Sequence, residues 1–214
     1  MLPVGKKRVI HFSLENAEKF GVEEIVIVVG FKAQNIIQNV GYEWGKIPIK
    51  YVWQEKLRGI VHAIQVSRKA LENQDFILML GDEVIGGFNH EAMLECFNSN
   101  VLGVIGVVKE NSPEKIAETY PVVTNGGLVT YVEKGALIPN TNLKGTGNIL
   151  LKPRIFKYID RTTVNPKYKE KVLEDLLQTA INHGEKFAWA IVGNWYVNVN
   201  TWNDYAELSR KIGQ

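Results

Sequence analysis

The run Phe76-Ile77-Leu78-Met79-Leu80 ends abruptly at Gly81-Asp82-Glu83. A continuous apolar run cannot present one wet and one dry face. It predicts a strand covered on both faces, as in a parallel sheet with helices above and below. Ile25–Val29, entirely β-branched and closed by Gly30, has the same form. Ligands of such sheets gather beyond the carboxyl ends of the strands. An acidic pair delivered there suits a hard cation that takes carboxylate and phosphate oxygens; Gly-Asp is also ordinary turn chemistry.

Helical stripes separate these runs. Val9, Ile10, Leu14, Ala17 and Phe20 mark a helix over 9–20, closed by Gly21. A short helix is expected over 33–40, a strand over 49–53, and a helix over 60–71 with Ile60, Ala63, Ile64, Ser67 and Leu71 on one face. A helix over 90–98 and a strand over 101–108 continue the alternation. The second half changes character. Val122–Thr124 and Leu128–Val132 flank Asn125-Gly126-Gly127 as a hairpin, and a strand is expected over 145–151. Helices follow at 153–159 and 168–183, then short strands at 187–192 and 196–199. Thr201 and Asp204 form a capping box for a final helix. This order predicts an α/β protein with a doubly wound, mostly parallel, Rossmann-like central sheet and a small β-rich elaboration, in one domain over 1–214.

Charge excludes several function classes. Lys and Arg total 25 against 23 for Asp and Glu, and no basic run forms a patch for nucleic acid or a membrane surface. The single cysteine, Cys96, excludes an internal disulfide and is expected to be a buried, inert thiol. No apolar stretch approaches the ~18–20 residues of a membrane span, and no signal-peptide pattern opens the chain. The expected compartment is a reducing cytoplasm. Trp44 and Trp202 are the candidate aromatics for an interface between copies in a homo-oligomer.

Several segments in order carry a resemblance. They are Leu2-Pro3-Val4-Gly5-Lys6-Lys7, Ser13-Leu14-Glu15-Asn16, Val26–Gly30, Tyr51-Val52-Trp53-Gln54 and Gly59–Ile64. Leu80-Gly81-Asp82, Val132-Glu133-Lys134, Thr146-Gly147, and Trp195 ahead of Asn200-Thr201 extend it along nearly the whole chain. Together they resemble the sugar-1-phosphate nucleotidyltransferases, with the glucose-1-phosphate thymidylyltransferases and uridylyltransferases as the nearest groups.

The resemblance implies a nucleotide-binding half over 1–110 and an acceptor-binding half over 111–214. It implies an NTP, a pyrimidine one, and a sugar 1-phosphate or similar phosphorylated small molecule as substrates, with pyrophosphate released. Gln54 would read the base through an amide that both donates and accepts. Gly59 would let backbone approach the base or ribose; His62 beside it reads as structural. Asp82 resembles the Mg2+ ligand. Glu133 would hold sugar hydroxyls and Lys134 the 1-phosphate, though Gly135 stands where the family has proline. Tyr120, Thr146 and Gly147 match stretches lining the sugar pocket.

Two departures matter. The family's Gly-rich phosphate loop and a catalytic lysine precede the Leu-Pro-Val stretch, which here lies at residues 2–4. Within the 214 residues no other Gly-rich loop followed by basic residues stands in for them. In the family the first strand lies mid-sheet, so strands 25–29 and 76–80 are expected to face a gap, and the natural product is expected to be longer. Asn198 also stands where the family places a second metal-binding aspartate; its amide oxygen can coordinate but brings no charge. Glu83 is the candidate replacement carboxylate. A catalytically degenerate binder of nucleotide or sugar phosphate is therefore the second reading. A nucleotide-sugar glycosyltransferase is the third, against which Asp82-Glu83-Val84 lacks the carboxylates one residue apart.

Overall fold

The computed structural model describes residues 2–71, 73–138 and 140–213. A small antiparallel ribbon, β1 (Pro3–Val4) and β2 (Lys7–Arg8), precedes α1 (Val9–Lys19). β3 (Ile25–Val29), α2 (Ala33–Val40), β4 (Glu43–Trp44), β5 (Ile47–Trp53) and α3 (Gly59–Ser67) form the next unit. β6 (Phe76–Leu78), β7 (Glu83–Gly86), α4 (Glu91–Cys96), β8 (Gly103–Lys109) and α5 (Pro113–Ala117) lead to the hairpin β9 (Val122–Asn125) and β10 (Leu128–Val132). Then come β11 (Leu143–Leu151), a 3-10 helix over Pro153–Tyr158, α6 (Leu173–Asn182), β12 (Phe187–Gly193), β13 (Trp195–Asn198) and α7 (Trp202–Ile212).

The expected α/β architecture is present; the central sheet, expected to be mostly parallel, has mixed strand directions. Six strands follow the order β6-β11-β8-β12-β10-β9. Within that sheet β8 and β12 run parallel, while the other neighbours are antiparallel. The hairpin expected at Asn125–Gly127 accounts for one antiparallel pair, since a turn that short cannot return a chain in parallel. A second sheet, β3-β5-β4, has β3 parallel to β5. The main core lies along the larger sheet, where Leu102, Ile105, Ile149, Leu176, Leu177 and Phe187 are fully buried. Each such side chain contributes about 1.5–3 kcal/mol by leaving water.

Among the described residues no ladder joins the two sheets between β3 and β6. A cavity of about 1330 Å3 lies there, walled by both strands, by Ile10, Leu14 and Ala17 of α1, and by Ile60, Ala63 and Ile64 of α3. The gap expected from the family resemblance is thus present. It corrects one expectation: Ile25–Val28 and Phe76–Leu80 are half-buried throughout. Helices cover their faces, but each strand has an open edge.

Local chemistry moves other boundaries. α3 stops at Ser67, whose hydroxyl donates to the Ile64 carbonyl at 2.8 Å. α6 begins at Leu173 because residues 165–170 close on themselves through the Asn165–Glu170 bridge, with Lys169 at φ 58°. The Thr201–Asp204 capping box forms as expected. Cys96 is half-buried and free, with Sγ 3.7 Å from the Trp189 carbonyl. Trp202 is exposed, whereas Trp44 is half-buried against the His11 ring. Among the described residues no helix is long and apolar enough to cross a membrane.

Candidate functional site

β6 runs out at the cavity's polar end, and the chain turns through Gly81 and Asp82 into β7. β7 pairs antiparallel with β13, which sets Glu83 opposite Asn198. The Val199 amide donates to the Asp82 carbonyl at 2.8 Å and closes the ribbon. Asp82 and Asn198, which lie 116 positions apart, therefore leave one ribbon side by side and line the same cavity. Burial pushes the Asp82 carboxyl above its ordinary range. The Asn198 Oδ1 is buried with no hydrogen-bond partner among the described residues.

Glu83, the candidate replacement carboxylate, lines the same cavity and is already bonded within the fold. It is fully enclosed, and its oxygens accept from the Gly147 amide at 2.8 and 3.0 Å, Asn148 Nδ2 at 3.2 Å and Tyr196 Oη at 2.7 Å. Burial raises its pKa to about 7 against those bonds. Its work is to tie the β7–β13 ribbon to β11. A register shift between Gly145 and Ile149 accompanies this contact, and a Cβ on Gly147 would stand 2.4 Å from Leu80 and 2.9 Å from Glu83. Only glycine leaves room.

The other acceptor-side residues divide. Tyr120 is fully buried; its ring lies where a Cβ on Gly145 would fall, and its hydroxyl donates to the Thr146 carbonyl at 2.6 Å. The Thr146 hydroxyl turns away into the sheet and donates to the Gly106 carbonyl at 2.9 Å. Lys134 lines the cavity, with Nζ 4.9 Å over the Tyr168 ring. Glu133 does not join it: the side chain is exposed and accepts from the Tyr131 hydroxyl.

One residue was missed. Glu174, in the first turn of α6, is buried and lines the cavity, and its Oε2 has no partner among the described residues. Burial raises its pKa, with the nearby Lys134 charge pulling the other way. The signal was available: Glu174 falls one helical turn before Leu177, on a helix whose Leu173, Leu176, Leu177 and Ala180 are all buried.

Gln54 and Gly59 meet at the carboxyl ends of β3 and β5. The Gln54 amide is buried, donates to the Gly59 carbonyl at 3.0 Å and lies 2.9 Å from His62 Nδ1. His62 is thus a partner of Gln54, in keeping with a structural role. Gly59 has φ +79°, and a Cβ there would stand 2.6 Å from the Glu170 carboxylate. The pair flanks the cavity through its neighbours Ile60 and Glu170.

The fold is mixed α/β, with the Asp82 carboxylate at a strand end and Lys134 lining the same cleft. The chain belongs to the nucleotidyl transferase family, whose profile it matches over residues 1–214. It is 25% identical over 99% of its length to a low-salt glycan biosynthesis nucleotidyltransferase of Haloferax volcanii. Against a glucose-1-phosphate thymidylyltransferase of Streptomyces griseus the identity is 24%, again over 99% of the chain. The chain spans 59% of the length of each of those two relatives. It is 26% identical to a UTP–glucose-1-phosphate uridylyltransferase of Haloferax volcanii, covering 99% of the chain and 86% of that protein. A UDP-glucose pyrophosphorylase complexed with UDP-glucose superposes with a TM-score of 0.86 at 19% identity, over 100% of this chain and 89% of the other. The apo form of a UDP-glucose pyrophosphorylase gives 0.78 at 18%, with the same coverage. At that identity the likeness shows the fold.

Proposed function

We propose that the cleft serves nucleotidyl transfer: a nucleoside triphosphate and a phosphorylated small molecule, such as a sugar 1-phosphate, give a nucleotide conjugate and pyrophosphate. The observation that carries this reading is the convergence of Asp82, the unpartnered Asn198 Oδ1 and Lys134 on one cleft. An acceptor phosphate oxygen attacks the α-phosphorus, the bond to the β-phosphate oxygen breaks, and pyrophosphate leaves, with no covalent enzyme intermediate. Lys134 holds the attacking phosphate as a point charge and keeps it in line. Gln54 and Gly59 take the base, and the thymidylyl and uridylyl relatives favour a pyrimidine.

Asp82 and Asn198 fit Mg2+, because both offer hard oxygen donors and one oxygen is already dehydrated without a partner. When bound there, Mg2+ supplies neutralisation of phosphate charge. Asp82 sets the site's charge and Asn198 completes its geometry. A cytoplasmic setting and a homo-oligomer belong to the same proposal.

A second reading, binding without turnover, is favoured by Asn198 and by the lack of a Gly-rich phosphate loop within these residues. The chain should be assayed for pyrophosphate release across four NTPs with glucose 1-phosphate, alongside calorimetric titration of each ligand. Release establishes transfer. Binding without release establishes the second reading, and neither binding nor release removes both.

A further inference from the structure

Glu174 has no part in the chemistry above, yet it occupies the cleft. The residue is buried, with a relative exposure of 6%. An unpaired buried carboxylate oxygen is costly, and one retained in a folded protein calls for a reason. The carboxyl accepts from its own amide, but among the described residues Oε2 has no donor and no ion pair joins Glu174 to Lys134. Both residues line the same cleft, and Glu174 is close enough for the lysine's charge to act on its carboxyl.

We infer that Glu174 is a specificity-determining residue that accepts hydrogen bonds from hydroxyl groups of the acceptor whose phosphate rests on Lys134. The inference rests on the proposed function and narrows its acceptor. A carboxylate repels phosphate, so an acceptor satisfies both residues only if it carries phosphate at one end and hydrogen-bond donors beyond it. A sugar phosphate has that form. Phosphocholine brings charge but no donor, and the aromatic face nearest Lys134, Tyr168, already carries the Lys134 and Lys167 ammoniums at 4.9 and 5.2 Å. A site built to bond a substrate hydroxyl discriminates strongly against analogues that lack it, because its own buried group is left unpaired. Glu133, the residue expected to hold sugar hydroxyls, is exposed and turned to Tyr131, which leaves that role to Glu174.

The test titrates the intact chain, by calorimetry, with glucose 1-phosphate, phosphocholine and inorganic phosphate, using wild type, Glu174→Gln and Glu174→Ala. Glucose 1-phosphate should bind most tightly. Its affinity should fall about tenfold or more in Glu174→Ala and less in Glu174→Gln, whose amide oxygen still accepts. Inorganic phosphate should bind all three proteins alike or bind the variants more tightly. Ligand-free Glu174→Gln should melt no lower than wild type, since an unpaired buried charge has been removed. Equal losses for sugar phosphate and phosphate, no loss for either, or a drop in melting temperature in Glu174→Gln would each make Glu174 a structural residue and overturn the inference. Tighter binding of phosphocholine than of glucose 1-phosphate overturns it too. Wild type that binds an NTP but no glucose 1-phosphate sinks this inference alone, and wild type that binds neither sinks the proposed function with it.

Discussion

β8 in the larger sheet differs from β3 at the gap in its neighbours more than in its composition. Gly103-Val104-Ile105-Gly106-Val107-Val108 and Ile25-Val26-Ile27-Val28-Val29 are both apolar and β-branched. The first is buried over all six of those residues, while four of the second five are half-exposed. β8 has β11 on one side and β12 on the other; among the described residues β3 has β5 alone. Burial of a strand is therefore a property of the sheet that receives it. An apolar run states what a segment needs, and the neighbours decide whether it is met.

The widest expected contrast is in amide exchange. Amides of β8 and β11 should open only with the whole protein, whereas those on the free edges of β3 and β6 should exchange by local opening, faster by about three orders of magnitude. Equal protection measured by exchange mass spectrometry would mean that the gap is closed in solution. Truncation should echo this. Leu177→Ala, at a fully buried position, is expected to cost ~2–5 kcal/mol in urea unfolding. Ile27→Ala, which is half-buried and walls the cavity, should cost about 1 kcal/mol, because part of its surface is already open. Similar losses would remove the distinction between the two regions.

Glu83 joins the ribbon beyond the gap to the complete sheet, and its titration reads the strength of that joint. The folded state holds its pKa near 7, above the ordinary glutamate value of 4.5. The protonated form is thus favoured by folding, so this contribution is full below about pH 4.5 and is lost as pH rises toward 7. The swing is on the order of 3 kcal/mol at 1.36 kcal/mol per unit. In metal-free protein, Glu83→Gln should flatten that part of the stability profile. A slope unchanged by the substitution would assign the pH dependence elsewhere.

Much of the fold was legible because its signals are local. The stripe over 9–20, the Asn125–Gly127 hairpin and the Thr201 capping box follow from periodicity and turn chemistry over a few residues. The gap carried no local signal and was expected only through a family likeness. The β7–β13 ribbon was missed because the two halves of a four-residue pair lie more than a hundred positions apart, so Glu83 read as half of an acidic pair at a strand end. The site shows the same division. Asp82, Lys134 and Gly147 sit in the cleft as expected, while Glu133 and Thr146 face away. Successive side chains leaving a strand point to opposite sides, so Glu133 and Lys134 were poorly placed to share one cleft. Glu174 was passed over because a charged residue in a helix is usually solvated, and only its neighbours' burial marks it.

A smaller effect than the Glu83 swing is expected at the seam between the two regions. Asn198 supplies a buried, unpartnered Oδ1 next to Asp82, so the position is already shaped for an oxygen ligand and lacks only charge. Asn198→Asp keeps the shape and adds a carboxylate beside a second one whose pKa is already raised by burial. Without a cation, two desolvated carboxylates repel, and the variant should melt lower than wild type at neutral pH. With Mg2+ the repulsion becomes attraction, so affinity should rise about tenfold, or ~1.4 kcal/mol. Melting temperature followed against Mg2+ concentration reads both effects at once: the two curves should cross, the variant below wild type at zero metal and gaining more from each addition. Parallel curves would mean that Asn198 and Asp82 do not share an ion, and would leave the buried amide oxygen without a function.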